Sequence, residues 1–200
     1  RADPTFSSGS VRTHDGNLAF VYKAAFEIGE LGDNTAALRD TIRADDLLAE
    51  AIAGPDATVL VLGHTRWASV GIISEPNAHP QCSDETDRTD GPLVTAVLNG
   101  DVDNHTDLVA ADDLRINPAI TTDAKVIPGP GPPRGGGAGG GRRGARGAGV
   151  PPGPHRLHLA LRGSGQALYV GVADDAFIVA SEPYGVVEET ATYLRMDGET

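Results

Sequence analysis

Apolar positions along this chain fall in short runs whose period changes from segment to segment. Residues 17–26, rich in Val, Tyr and Phe, read as a strand that Gly29 and Gly32 then break. Asp33 or Asn34 can cap a helix in which Ala37, Leu38 and Ile42 recur at helical spacing. Leu47, Leu48, Ala51 and Ile52 form a second helical set. Gly54-Pro55-Asp56 ends this region, and residues 57–64 read as a buried strand. Residues 93–98 form another apolar run. Both runs end in polar groups that are awkward inside a buried strand but useful at its mouth, so residues 63–100 are where a site is expected.

Between these runs, residues 68–92 form a long loop with Pro76, Pro80 and Gly91 and a charged middle, a stretch that carries function or is disordered. Asn99-Gly100 predicts a tight turn, residues 104–114 a short helix on Leu108, Val109 and Ala111, and residues 122–127 the first turn of another, capped by Thr122 or Asp123. Residues 157–161, 167–172 and 176–180 predict three strands of an antiparallel meander. A brief helix over 184–190 and a strand over 191–196 follow. The pattern predicts an α+β fold with mainly antiparallel sheet.

Residues 128–154 break the pattern. They hold 12 of the 26 glycines and 7 of the 14 prolines, with four Arg, three Ala and Val150, and so have almost nothing to bury. Every residue but Val150 has codons that can be all G and C, as in GC-rich DNA translated out of frame. The expected organisation is a flexible arm over 1–16, one domain made of 17–127 and 156–200, and a low-complexity interruption over 128–155.

The formal net charge is -12 and the pI near 4.7, which excludes nucleic acid and anionic membrane as expected partners, since both need a basic face. No apolar run approaches the roughly 18 residues that span a bilayer, and no signal peptide is marked. With Cys82 as its single cysteine, the chain is expected in the cytoplasm. His79-x-x-Cys82 falls short of the four ligands of a structural zinc site, so neither metal nor cofactor is expected.

Four motifs in order, His64-Thr65-Arg66-Trp67-Ala68, Asn77-Ala78-His79-Pro80, Leu98-Asn99-Gly100 and Thr122-Asp123-Ala124-Lys125-Val126-Ile127, resemble the glutaminase domain of glucosamine-6-phosphate synthase, a class II glutamine amidotransferase. Residues 177–182 and 193–199 look like that domain's closing segment. The resemblance implies an N-terminal-nucleophile fold, a four-layer sandwich of antiparallel sheets between helices, incomplete here. It also implies L-glutamine as substrate, and ammonia passed to a downstream sugar-phosphate isomerase domain for glucosamine 6-phosphate synthesis. The full protein would be a homodimer. In that family a Cys at the mature N-terminus attacks the glutamine side-chain amide, its own α-amine serving as base.

Carried onto this sequence, the resemblance assigns Arg66 to the glutamine α-carboxylate, where a planar guanidinium gives two parallel charged hydrogen bonds. Asp123 takes the α-ammonium, with Ser69 also in the substrate site. The Asn99 side-chain amide and the Gly100 backbone amide form the oxyanion hole. His64, Thr65, Trp67 and His79 have supporting roles. Taken singly, each has a plainer reading: a surface ion pair for Arg66, a helix cap for Asp123, a hairpin turn for Asn99-Gly100, and packing for the histidines and Trp67. Departures from the family pattern are Ser69-Val70 in place of Thr-His, Asp101 in place of an apolar residue, and Ala124-Lys125 in place of Thr-Glu. Position 1 is Arg and Cys82 has no free α-amine beside it, so the chain as written is not expected to hydrolyse glutamine. The alternatives are another class II amidotransferase, such as an amidophosphoribosyltransferase, and a catalytically dead module that binds glutamine or contacts other subunits.

Overall fold

The computed structural model describes residues 8–14, 16–25, 33–66, 70–83, 94–114, 116–128, 148–150, 157–161 and 167–197. Among these, helices and antiparallel sheets combine in an α+β arrangement. No helix is long and apolar enough to cross a membrane.

The chain enters as a hairpin of β1 (Ser10–His14) and β2 (Asn17–Val21), with Ser10 opposite Val21 and His14 opposite Asn17. β1 falls within the arm expected over 1–16. Apolar periodicity missed it, whereas the Asp15-Gly16 dipeptide is a hairpin signal in its own right. Two helices follow where the helical spacing placed them, α1 (Asp33–Arg43) and α2 (Asp46–Ile52). Asp45 starts the second helix: its Oδ1 accepts from the backbone N–H of Leu47 and of Leu48, both at 3.1 Å. Its Oδ2 accepts from the Tyr22 hydroxyl at 2.8 Å, which ties the hairpin's exit to the helix pair.

The strand expected over 57–64 does not form. That segment has no regular secondary structure and no ladder partner among the described residues, and Val59, Leu60 and Val61 are exposed, Val61 at 80%. An apolar run becomes a strand only when a neighbour takes up its main-chain hydrogen bonds. A three-stranded sheet lies further on, in the order β3 (Gln81–Cys82), β4 (Thr95–Val97), β5 (Ala148–Val150), antiparallel throughout. β3 gives order to part of the predicted loop. β5 sits inside the predicted low-complexity interruption. Pairing on β4 uses the backbone, which Gly and Ala supply as well as any residue.

Beyond β4 the main apolar cluster gathers. Leu98, Val102, Ala124 and Val126 are buried, and Leu108 and Val109 of α3 (His105–Ala111) pack on them with Leu114, Ile116 and Ile127. The helix expected from residue 122 is a single 3-10 turn, Asp123–Val126, which Pro128 soon follows.

The third sheet has β6 (Ala167–Val172) between β7 (Phe177–Ala180) and β8 (Tyr193–Asp197), both antiparallel to it. Residues 157–161, expected as a strand of this sheet, make only an isolated bridge at His158, because both edges of β6 are already occupied. The short helix α4 (Tyr184–Val187) packs on β6 and β7 and buries Val186 completely. A Cβ on Gly171 would lie 2.4 Å from Val186 Cγ1, so this contact needs a bare backbone in β6.

Candidate functional site

The site is organised by Asn77, whose side chain is fully buried and uses all its hydrogen-bonding capacity. The two N–H groups of its Nδ2 are shared among three acceptors, Ile72 O at 3.0 Å, Ser74 Oγ at 3.1 Å and Thr121 Oγ1 at 3.0 Å. Its Oδ1 accepts from Thr121 N at 2.7 Å and Thr122 N at 3.0 Å. One amide thus fastens the 70–83 segment to the strand-like entry of the 3-10 turn. Gly71 completes the junction: its φ is +84°, and a Cβ there would meet Thr121 backbone atoms at 3.0 and 3.1 Å. Gln81 is also fully buried and donates from Nε2 to the carbonyls of Pro76 at 3.1 Å and Ala78 at 2.9 Å. Lys125, 4% exposed, donates from Nζ to Cys82 O.

On this frame the expected site residues converge in part. Asp123 is 4% exposed; its Oδ2 accepts from Val102 N at 2.5 Å and its Oδ1 from Thr122 Oγ1 at 3.4 Å. Of the two caps predicted for this turn, Thr122 holds the N-cap position but makes no capping bond, its hydroxyl donating to Asp123 Oδ1 instead. Arg66 is half-buried and donates from Nη2 to Val70 O. Burial lowers its pKa, and the charges of Asp123 and Asp101 work against that shift, so the guanidinium lies within electrostatic reach of both carboxylates. Asn99 and Gly100 follow β4 after Leu98 and are exposed, as is Thr65. Ser69 and Trp67 lie outside the described residues.

His64 and His79 meet edge to face, with ring centroids 4.2 Å apart and planes at 77°. His64 donates from Nε2 to Leu98 O at 2.8 Å, and the two Nδ1 atoms are 3.1 Å apart. Burial pushes His64 below its ordinary value. It pushes His79 further, down to about 3, with His64, Arg66 and Lys23 adding positive surroundings. Both are neutral imidazoles at physiological pH.

The only cysteine, Cys82, is buried in β3 with Sγ 3.7 Å from Thr95 Oγ1. Among the described residues no group of three His, Cys, Asp or Glu side chains could hold a metal ion. A cleft of about 280 Å³ opens elsewhere, lined by Ser8, Lys23, Ala24, Ala25, Ala37, Thr41 and Glu75, and none of the expected ligand-holding residues reaches it. Sequence reasoning quoted Asn77 in a motif but gave it no role, and it missed Gln81 and Gly71. A lone buried amide in a polar turn has no period to betray it, although the neighbouring Pro76 does mark the turn.

Comparison with known proteins yields one short likeness. The chain is 44% identical over 43 residues to a glutamine–fructose-6-phosphate aminotransferase [isomerizing] of Neisseria meningitidis serogroup A, and equally to that of serogroup B. The match takes in 22% of this chain and 6% of the length of each of those proteins. No family model and no solved structure matches.

Proposed function

We propose that this chain carries the glutamine-recognising part of a glutamine amidotransferase that supplies ammonia for amino-sugar formation. The observation that carries the reading is that Arg66 lies within electrostatic reach of Asp123, whose carboxylate is held by Val102 N just past the exposed Asn99-Gly100 turn. A cation and an anion in mutual reach suit the carboxylate and ammonium of an α-amino acid. The short match to glutamine-using aminotransferases supports it. In this reading Arg66 forks onto the α-carboxylate. Asp123, whose carboxylate has acceptor sites beyond those used by Val102 and Thr122, takes the ammonium. Attack of a nucleophile on the side-chain amide carbon places negative charge on its oxygen. The Asn99 Nδ2 and Gly100 N–H donate to that oxyanion, and its collapse expels ammonia.

Cys82, buried in a strand, is not that nucleophile, and none of the described residues takes its place. On this reading the sheets are portions of an N-terminal-nucleophile sandwich in a longer cytoplasmic, homodimeric protein. A sugar-phosphate isomerase domain lies downstream. The burial of Cys82 favours one second reading, a module that binds glutamine without turning it over.

The test is an NMR titration of the isotope-labelled chain with L-glutamine. Shifts are expected around Arg66, Asn99, Gly100 and Asp123, and Arg66→Lys, which replaces the fork with a point charge, should weaken binding by about tenfold or more. A glutamine-analogue electrophile should leave Cys82 unlabelled. Absence of any glutamine-dependent shift at these residues, or rapid glutamine-protected labelling of Cys82, overturns the proposal.

A further inference from the structure

The two histidines hold more information than their distances alone. Leu98 O can only accept, so the 2.8 Å contact requires a proton on His64 Nε2. A neutral imidazole has one proton, and His64 has now used it. Its Nδ1 is therefore a bare acceptor facing His79 Nδ1 at 3.1 Å, a contact that is favourable only if His79 carries its proton there. His79 Nε2 is then a bare lone pair, and that atom is buried with no hydrogen-bond partner among the described residues. Its environment agrees: a proton on Nε2 would find no acceptor among the described residues.

We infer that His79 is a positioning residue. Its Nδ1–H locks His64 in the Nε2–H form, and His64 in turn holds the Leu98 carbonyl and so sets the direction in which the Asn99-Gly100 turn leaves β4. The chain of donors runs one way, from His79 through His64 to Leu98. A pair of histidines that merely filled space would have no such order. The proton order stands on geometry alone; its bearing on oxyanion stabilisation rests on the function proposed above.

Long-range proton–nitrogen correlation spectra of the ¹⁵N-labelled chain separate protonated from bare ring nitrogens, and they test the order without any ligand. His64 should report as Nε2–H and His79 as Nδ1–H. A His79 with its proton on Nε2 overturns the inference. His79→Asn keeps an N–H donor near the place of Nδ1 and should preserve both the single His64 tautomer and the Asn99 and Gly100 amide shifts. His79→Leu removes the donor; His64 should then become a mixture of tautomers, and the Asn99 and Gly100 amides should move. Resonances of the β6–β8 sheet show whether each variant is folded, and if the Leu variant unfolds, the Asn variant decides. A folded Leu variant with His64 still purely Nε2–H and both amides unmoved refutes the positioning role. Loss of glutamine binding with the tautomers intact speaks against the proposed function alone.

Discussion

Among single residues, the buried polar groups decide most. His79 binds no proton in the folded chain until pH falls to about 3, whereas an unfolded histidine protonates near 6.5. The unfolded state therefore holds more protons between those values, and folding stability falls as pH falls through that window. Above about pH 7 both states are neutral at this site and it contributes no slope. His64 acts in the same direction. Urea denaturation should show stability dropping as pH is lowered from about 7 to 5, by at most about 1.4 kcal/mol per unit for each histidine. His79→Asn should flatten part of that slope. The chemistry of these residues was legible only in outline. Sequence placed His64, Arg66, His79, Asn99 and Asp123 in ordered motifs, but not the pairing of the histidines or the turning of Asp123 towards Val102, which depend on how distant segments dock. The role of Asn77 was hidden for the same reason: its partners Thr121 and Thr122 are far away in sequence.

Elements were legible where a period had room to repeat. α1, α2, α3 and the strands β6, β7 and β8 stand close to where apolar spacing placed them. β3 and β5 are two and three residues long, too short for any period, and they exist only because β4 offers them a ladder. The 57–64 run failed in the opposite way, having the composition of a strand and no ladder partner among the described residues. Asp45 shows how one residue joins elements, capping α2 with one oxygen and holding Tyr22 with the other. Partial burial, with the bond to Asp45 and its charge, pushes the Tyr22 phenol up to about 12. Asp45→Ala should cost about 1 kcal/mol of stability through loss of the cap. It should also move the Tyr22 titration, read from tyrosinate absorbance, back towards its ordinary value of 10.0.

For the whole molecule, sequence conveyed the α+β class but not the strand orders, which result from long-range pairing that no local pattern encodes. Much apolar surface also remains in water: Val61, Ile72, Phe177, Tyr184 and Leu194 are each more than 60% exposed. All five residues of β8 are exposed, and its outer edge has no ladder partner among the described residues. Opposing self-association is the net charge of -12. The isolated chain is therefore expected to bind a hydrophobic fluorescent dye in its native state and to associate as concentration rises. Added salt should strengthen association by screening the repulsion between like-charged copies. Analytical ultracentrifugation at low and high ionic strength checks this; a sharp monomer boundary at both, with no dye fluorescence, counts against it.

The exposed Asn99-Gly100 turn also sets a clock on the protein. Gly100 has no side chain to shield its amide nitrogen, which can attack the Asn99 side-chain carbonyl, close a five-membered imide and release ammonia; water then opens the ring to aspartate or isoaspartate. A preparation aged at mildly alkaline pH should gain acid at position 99, visible by peptide mass mapping. Asn77, fully buried with both ends of its amide engaged, should stay intact as an internal control. Each converted molecule would carry a carboxylate where the proposed site needs a donor for an oxyanion. The loss of ammonia from a side-chain amide, proposed above as the fate of glutamine, would then be the way this chain itself wears out.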